Sequence, residues 1–148
     1  MAASSQAAAK PAGPRVMMVH IHDPRARWTV HAARVVRIVS ARDWADDWVA
    51  EPARDVLALL GPQPPEGEDA HRVIVLRGAR DQELAVIAAG AIHIGDVDAG
   101  DVLALPPLFA KTAPEIAAIV VSTDTSLSLL LDPLAITTPD AAFVRNHA

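Results

Sequence analysis

The sequence predicts a mainly β fold made of two small β-barrel-like lobes. Short segments rich in Val and Ile recur along the chain, and turns that contain Pro, Gly or Asp separate them. Residues 15–38 also align with residues 72–94, because each stretch consists of a strand, a turn, a second strand, an Ala-Ala link and a third strand. Four or five short strands cannot cover their own apolar face, so the two units are expected to pack together.

The individual strands follow from side-chain alternation and from the turns that bound them. In residues 15–22, the side chains of Met17, Val19 and Ile21 fall on one face of a strand and the two histidines fall on the other. Asp and Pro at positions 23 and 24 then make a turn. The predicted strands are residues 15–22, 26–30, 35–39, 71–76, 83–89, 91–94, 116–122 and 127–131.

The segments between the strands carry their own signals. Residues 41–52 are acidic and place Trp44 and Trp48 four positions apart, which would put both indoles on one helical face. Residues 95–100 are predicted to form a loop. The Pro pair within residues 105–108 argues against a central strand there, because proline has no N–H to donate to a ladder.

Composition bounds the size of the fold and excludes several classes of site. The 148 residues are 51% hydrophobic but only 3% aromatic, so the core must be built from Val, Ile, Leu and Ala. The absence of cysteine excludes disulfides, thiolate zinc sites, iron–sulfur clusters and a cysteine nucleophile. A net charge of −5 gives no general attraction to nucleic acid or to anionic lipid, so neither partner is expected.

The domain boundaries follow from shifts in composition. The first residues lack the apolar stretch of a signal peptide, and no window approaches the roughly 18 apolar residues of a membrane span, so the chain is expected to be soluble and cytoplasmic. The predicted divisions are a disordered tail at 1–14, a folded domain at 15–136 with lobes at 15–61 and 71–136, a spacer at 62–70 and a polar C-terminal tail at 137–148.

A pair of histidines is the strongest candidate for a metal site. His20 and His22 would project from one face of a strand, about 6.5–7 Å apart, and their imidazoles could converge on an ion. A catalytic metal needs further ligands, and the other histidines are scattered without a partnering carboxylate motif. Two polar side chains on a solvent-facing strand are the simpler interpretation, and a metal-binding, hydrolase-like domain using these two residues is kept as an alternative.

The remaining motifs do not indicate catalysis. Residues 95–101 begin like a calcium loop, but the bidentate Glu expected several positions later is absent. The sequence has no G-x-S-x-G context for a nucleophilic serine and no glycine-rich phosphate loop. Arg72, Arg77 and Arg80 are expected to be ordinary surface charges. We therefore expect no enzyme activity, no catalytic residue and no cofactor.

Several stretches resemble the CheW-like domain, the adaptor module of bacterial chemosensory systems. The second half carries the resemblance in RVIVLRG…ELAVIAAGAIHI, GDVDAGDVLALPPLF and IAAIVVSTDTSLSLLLDPLAI. The first half carries it in VMMVHIHDPRARWTVHAARVVRIV and DVLALLG. The resemblance extends over about residues 15–136.

This resemblance implies two five-stranded SH3-like β-barrels with short helices and a groove between the barrels. It also implies a noncatalytic role, in which one face binds the regulatory domain of a CheA-type histidine kinase and another binds the cytoplasmic tip of a chemoreceptor. Recruitment to membrane-associated receptor arrays or to the cell pole is then expected, without membrane insertion. By position, the protein-binding residues are Val35, Arg37 and Ile38 on the kinase-facing strand and Arg72, Val75 and Ile94 beside the groove.

The sequence departs from the family pattern in three places, one of which is Ala89, where the family has an acidic residue after the return strand. Family members usually have an Asn-Leu-Arg-Gly turn whose Arg contacts the receptor, whereas this chain reads DWADDWVAEPARDVL there. The family also commonly has an acidic residue at the position of Arg37, so a partner of altered charge is expected. An alternative is therefore a CheW-like remnant that binds one localisation or motility partner without coupling a kinase. The sequence leaves self-association open.

Overall fold

The computed structural model describes residues 13–46, 53–58, 71–122 and 124–136, and these form nine strands and two short α-helices. Both helices are six residues long, and none in the described segments has the length and apolar character needed to cross a bilayer. The elements are β1 (Arg15–His22), β2 (Arg27–His31), β3 (Val35–Ser40), α1 (Ala41–Asp46), β4 (His71–Arg77), β5 (Glu83–Ala89), β6 (Ala91–Asp98), β7 (Val102–Ala104), α2 (Pro107–Thr112), β8 (Ile116–Val121) and β9 (Leu127–Leu131).

The strands form two sheets. The larger sheet has six strands in the order β6-β1-β2-β9-β8-β7, and the smaller has three in the order β3-β4-β5. Neighbouring strands are antiparallel except for β2 and β9, which are parallel. The predicted mainly β class is confirmed, although neither sheet is a closed barrel in the described part of the chain.

The main core lies between the two sheets. Val19 and Ile21 of β1 pack with Trp28 of β2, and all three are at least 98% buried. Ile74 and Leu76 of β4 meet them from the smaller sheet and are fully buried. Only one face of each sheet can reach the other, so alternate residues of a strand enter this core, while β2 and β4 are also buried on their other faces.

The six-stranded sheet also curls around a second, smaller core. Met18 of β1 and Val97 of β6 pack with Val120 of β8, although β6 and β8 are separated by three strands in the sheet order. Residues so far apart in a flat sheet could not touch, so the sheet must bend towards closure. The 3₁₀ turn Ala99–Asp101 joins the two outermost strands, β6 and β7, at this bend.

The strands of the two sequence halves are interleaved in space. β1 and β2 pair with β6 and β9, and β3 pairs with β4, so strand pairing crosses the predicted division between residues 15–61 and 71–136. The lobe boundaries themselves stay a prediction. The spacer, residues 1–12 of the N-terminal tail and the C-terminal tail lie outside the described residues.

Most strand predictions agree with the structure, and one loop prediction is wrong. β1, β5 and β9 have the predicted bounds. β6, however, continues through residues 95–98, which were expected to form a loop. It does so because every residue of β1 pairs with a residue of β6, and the last of these pairs is Arg15 with Asp98. At α1 the helix includes Trp44, whereas Trp48 lies outside the described residues.

An ion-pair network ties the larger sheet to a segment beside the smaller one. Arg25, in the β1–β2 turn, lies between the carboxylates of Asp23 and Asp55, at 2.8 Å and 2.7 Å. The segment that carries Asp55 runs beside β5, where the Arg54 N–H donates to the Ala85 carbonyl at 2.8 Å. This segment covers the outer edge of β5, and β3 is left as the uncovered edge of the smaller sheet among the described residues.

Candidate docking site

The open edge of β3 is the first component of the candidate site. β3 pairs with β4 on one side only, so its outer backbone N–H and C=O groups have no ladder partner among the described strands. Such an edge is a ready template for a strand from another protein. Arg37 and Ile38 are the two exposed side chains of this strand, and they point to opposite faces of the sheet.

Arg37 lies on the outer face of the smaller sheet. Its Nη1 is 3.7 Å from the Glu83 Oε1 atom, and its guanidinium lies 5.9 Å from the ring centroid of Trp44. About half of each charged side chain is exposed. Exposed ion pairs of this kind contribute little to stability.

Ile38 faces a groove between the two sheets, which we call the intersheet groove. The groove has a volume of about 650 Å³ and is lined by Ile38, Arg72 and residues 90–94. Ile94 of β6 is 65% exposed and Ile38 is 38% exposed, so the groove presents apolar surface to solvent. Arg72 adds a cationic side chain, and its Nη1 donates to the His71 carbonyl at 3.3 Å.

A tight turn brings β6 to the groove. Gly90 joins β5 to β6 and has a φ of +86°, which L-residues with a side chain rarely adopt. A Cβ at this position would lie 2.1 Å from the His22 carbonyl oxygen, so only glycine permits this approach to β1. The turn therefore fixes where Ile92 and Ile94 enter the groove wall.

The six predicted binding residues fall in three environments. Ile38, Arg72 and Ile94 are brought together in the intersheet groove, and Arg37 is exposed on the outer face. Val35 is half-buried and packs against the main core. Val75 is only 1% exposed, which corrects the expectation that it lies on the surface: it is directly opposite Arg37 in the central strand β4.

Two further residues were missed by sequence reasoning. Ile92 lines the groove beside Ile94, and Met17 of β1 is 52% exposed on the same sheet face as Val19, which pairs with Ile94. An alternating apolar pattern predicts burial, and the position of β6 at the edge of its sheet leaves Ile92 partly accessible. No local sequence signal distinguishes an edge strand of this kind.

The opposite face of β1 and β6 carries a histidine cluster, consisting of His20, His22 and His93. The rings of His20 and His93 are stacked, with centroids 4.8 Å apart, and the His22 ring lies 4.9 Å from that of His93. The cluster borders a cleft of about 380 Å³. In the segments that the structure describes, no three His, Asp or Glu side chains are arranged to hold a metal ion.

The environment of His20 and His22 favours their neutral forms. Burial lowers the pKa of His20, and the neighbouring histidines lower it further against the opposing effect of the Gly95 carbonyl, 3.3 Å from Nε2. Burial also lowers the pKa of His22, with smaller contributions from Arg27 and His93. His20 therefore contacts both the stacked His93 ring and the Gly95 carbonyl oxygen.

The comparisons with known proteins identify the fold. No protein-family model matches the chain, and no curated protein matches it by sequence. Among solved structures, the scaffolding protein CheW from Thermoanaerobacter tengcongensis is similar, with a TM-score of 0.62 and 12% sequence identity. The match covers 82% of this chain and 91% of that protein. The chain therefore has a CheW-like fold.

Proposed function

We propose that this protein is a noncatalytic adaptor of a bacterial chemosensory system. It would bind the regulatory domain of a CheA-type histidine kinase, the cytoplasmic tip of a chemoreceptor, or both. The observation that carries the proposal is the open β3 edge lying directly beside an exposed apolar groove, on a CheW-like fold. The proposed location is the cytoplasm, with recruitment to receptor arrays or to the cell pole.

The β3 edge suits a β-rich partner such as a kinase regulatory domain. An added strand would take up the outer backbone groups of Val35–Ser40, which have no ladder partner among the described strands, and alternate side chains would then set specificity. Arg37 favours an acidic residue on that partner, because its present pairing with Glu83 is exposed and long. The charge at this position supports a kinase domain that carries a carboxylate opposite β3.

The intersheet groove suits an apolar segment such as the tip of a receptor. Ile38 and Ile94 line it from the two sheets, and burying them would remove exposed apolar surface from water. Arg72 at the same groove favours a carboxylate on the bound segment. A partner that fills the groove would contact both sheets at once.

The described surface supports docking better than catalysis. His20 and His93 of the cluster are stacked, and the nearby Arg15 and Asp96 are engaged with each other through two hydrogen bonds of 3.2 Å and 3.0 Å. We assign no residue as a nucleophile with an adjacent base, the pair of groups that covalent catalysis usually requires. We propose that the protein acts by binding alone.

A narrower adaptor role is the second candidate. After β3, where family members usually have the Asn-Leu-Arg-Gly turn, this chain forms α1, which contacts β3 and β4. A protein with the kinase-facing strand but without that turn would bind a kinase, or one localisation or motility partner, and would not contact receptors. This candidate predicts binding to one partner only.

Calorimetric titration of the full chain with purified regulatory domain of the CheA-type kinase from the same cell tests the proposal. A second titration with the receptor cytoplasmic fragment separates the two candidates. Binding to both supports the full adaptor, and binding to the kinase alone supports the narrower one. If the chain binds neither protein, the proposal is contradicted.

A further inference from the structure

The histidine cluster and the intersheet groove share one strand. Along β6, successive side chains alternate between the two faces of the sheet, so His93 contacts the cluster while Ile92 and Ile94 line the groove. β6 is also the terminal strand of its sheet and is held by β1 alone among the described strands. A change in the cluster therefore acts on the strand that forms one wall of the groove.

The register places the three imidazoles where they hold the end of β6. His20 is directly opposite His93, and His22 is opposite Ala91, the first residue of β6. Neutral rings can stack at 4.8 Å, but two imidazolium rings at this separation repel each other. Separation of the strand end would relieve that repulsion and expose the rings to water.

Charged groups surround the cluster on several elements. They are Arg15 on β1, Arg27 on β2, Asp96 and Asp98 on β6, Asp101 in the turn after β6, and Asp124 in the β8–β9 turn.

The carboxylates among these groups already have partners. Asp96 accepts two hydrogen bonds from Arg15, and Asp124 accepts one from the Ser126 hydroxyl at 2.6 Å. Asp98 accepts hydrogen bonds from the Gly13 and Gly100 N–H groups, at 3.1 Å and 2.8 Å. These contacts reduce the capacity of the carboxylates to neutralise additional positive charge on the rings.

We propose that the histidine cluster is a proton-sensitive switch, in which protonation of two of its imidazoles separates residues 91–94 of β6 from β1. The wall of the intersheet groove that carries Ile92 and Ile94 then loosens. Mild acidification would weaken any partner held in the groove, a consequence that rests on the proposed function. The switch itself rests only on the geometry of the cluster.

The lowered pKa values of His20 and His22 agree with this direction. A histidine whose pKa is depressed in the closed state binds protons more readily once the strand opens. Opening is therefore favoured as the pH falls through the ordinary histidine value of 6.5, and closing is favoured above it.

Amide hydrogen exchange of the unliganded full chain, at about pH 7.5 and about pH 5.5, tests the switch. After correction for intrinsic rates, the protection of residues 91–94 relative to β4 should fall by about threefold or more at the lower pH, because each imidazole that charges on opening shifts the equilibrium. His93→Gln should abolish this relative change, and His31→Gln, at the end of β2 outside the cluster, should preserve it.

Unchanged relative protection in the wild-type chain would overturn the proposal, whether or not the His93 variant folds. So would a fall of equal size in the His93→Gln variant. Because no partner is present, the result is independent of whether the kinase or receptor binds. If the switch fails, the adaptor proposal is still tested separately, by the titration with kinase and receptor at about pH 7.5.

Discussion

Arg25 binds both oxygens of Asp55 through two nitrogens, with Nη1 at 2.7 Å and Nη2 at 2.9 Å. Only 8% of the Arg25 side chain is exposed. The same guanidinium also contacts Asp23, whose side chain is fully buried. This arrangement connects the β1–β2 turn to the segment that borders β5.

Removing the Arg25 guanidinium should destabilise the protein strongly. Arg25→Ala leaves the buried Asp23 carboxylate without its partner, and breaking a buried pair in this way typically costs about 3–5 kcal/mol. Urea unfolding measures the loss. Arg15→Ala is the matched control, because the Arg15–Asp96 pair is half-exposed on both sides, and it should leave the unfolding midpoint nearly unchanged. Equal effects of the two substitutions would contradict the buried network.

The stability of the fold should fall in acid because of Asp23. Burial alone would raise the pKa of this carboxyl, but hydrogen bonds from the Arg25 side chain and backbone outweigh it and lower the pKa below its ordinary 3.8. The folded state therefore binds the proton less tightly than the unfolded state. The stabilisation is present above pH 3.8 and is lost as the pH falls through the lower, folded-state pKa.

Unfolding measured at a series of pH values between about 6 and 2.5 checks this prediction. The wild-type free energy of unfolding should decline more steeply than that of Asp23→Asn, whose side chain does not titrate. Asp124→Asn, on the surface, serves as the control for the general effect of removing a carboxylate. Parallel declines for wild type and Asp23→Asn would contradict the assignment.

Gly90 should not tolerate even alanine. The new methyl group would lie 2.1 Å from the His22 carbonyl at a φ of +86°, so the β5–β6 turn must shift, at a cost of about 1–3 kcal/mol. Gly95→Ala, within β6, is the control, because a Cβ there meets the nearest His20 atoms at an ordinary 3.8 Å. Thermal unfolding should show a large loss for the first variant and a small one for the second.

Features of the fold that are set by neighbouring residues could be predicted from the sequence, whereas features that depend on contacts between distant residues could not. β1, β5 and β9 were predictable to the residue, because alternation and flanking turns are local signals. The parallel pairing of β2 with β9 was not, since it joins residues about a hundred positions apart and no local pattern encodes such a contact.

The candidate site likewise has features that the sequence predicts and features that depend on contacts between distant residues. Arg72 and Ile94, expected beside the groove, do line it, and Ile38, expected on the kinase-facing strand, lines the same groove. Val75 was misplaced because position alone does not tell which side chain of a central strand is covered. The histidine cluster could be only half anticipated: His20 and His22 are close in sequence, but His93 joins them through the β1–β6 register.

Titration of the kinase regulatory domain with wild-type protein, Ile38→Glu and Leu108→Glu tests the central claim most directly. Ile38 lies on β3, the strand assigned to the kinase, whereas Leu108, on α2, is 71% exposed and lies neither on β3 nor in the groove, so it controls for adding a charge to an apolar surface position. Circular dichroism of each variant should show the wild-type fold. We predict that Ile38→Glu weakens binding by about tenfold or more, while Leu108→Glu binds like wild type. Equal affinities for all three proteins, or no binding by the wild type to kinase or receptor, would contradict the account.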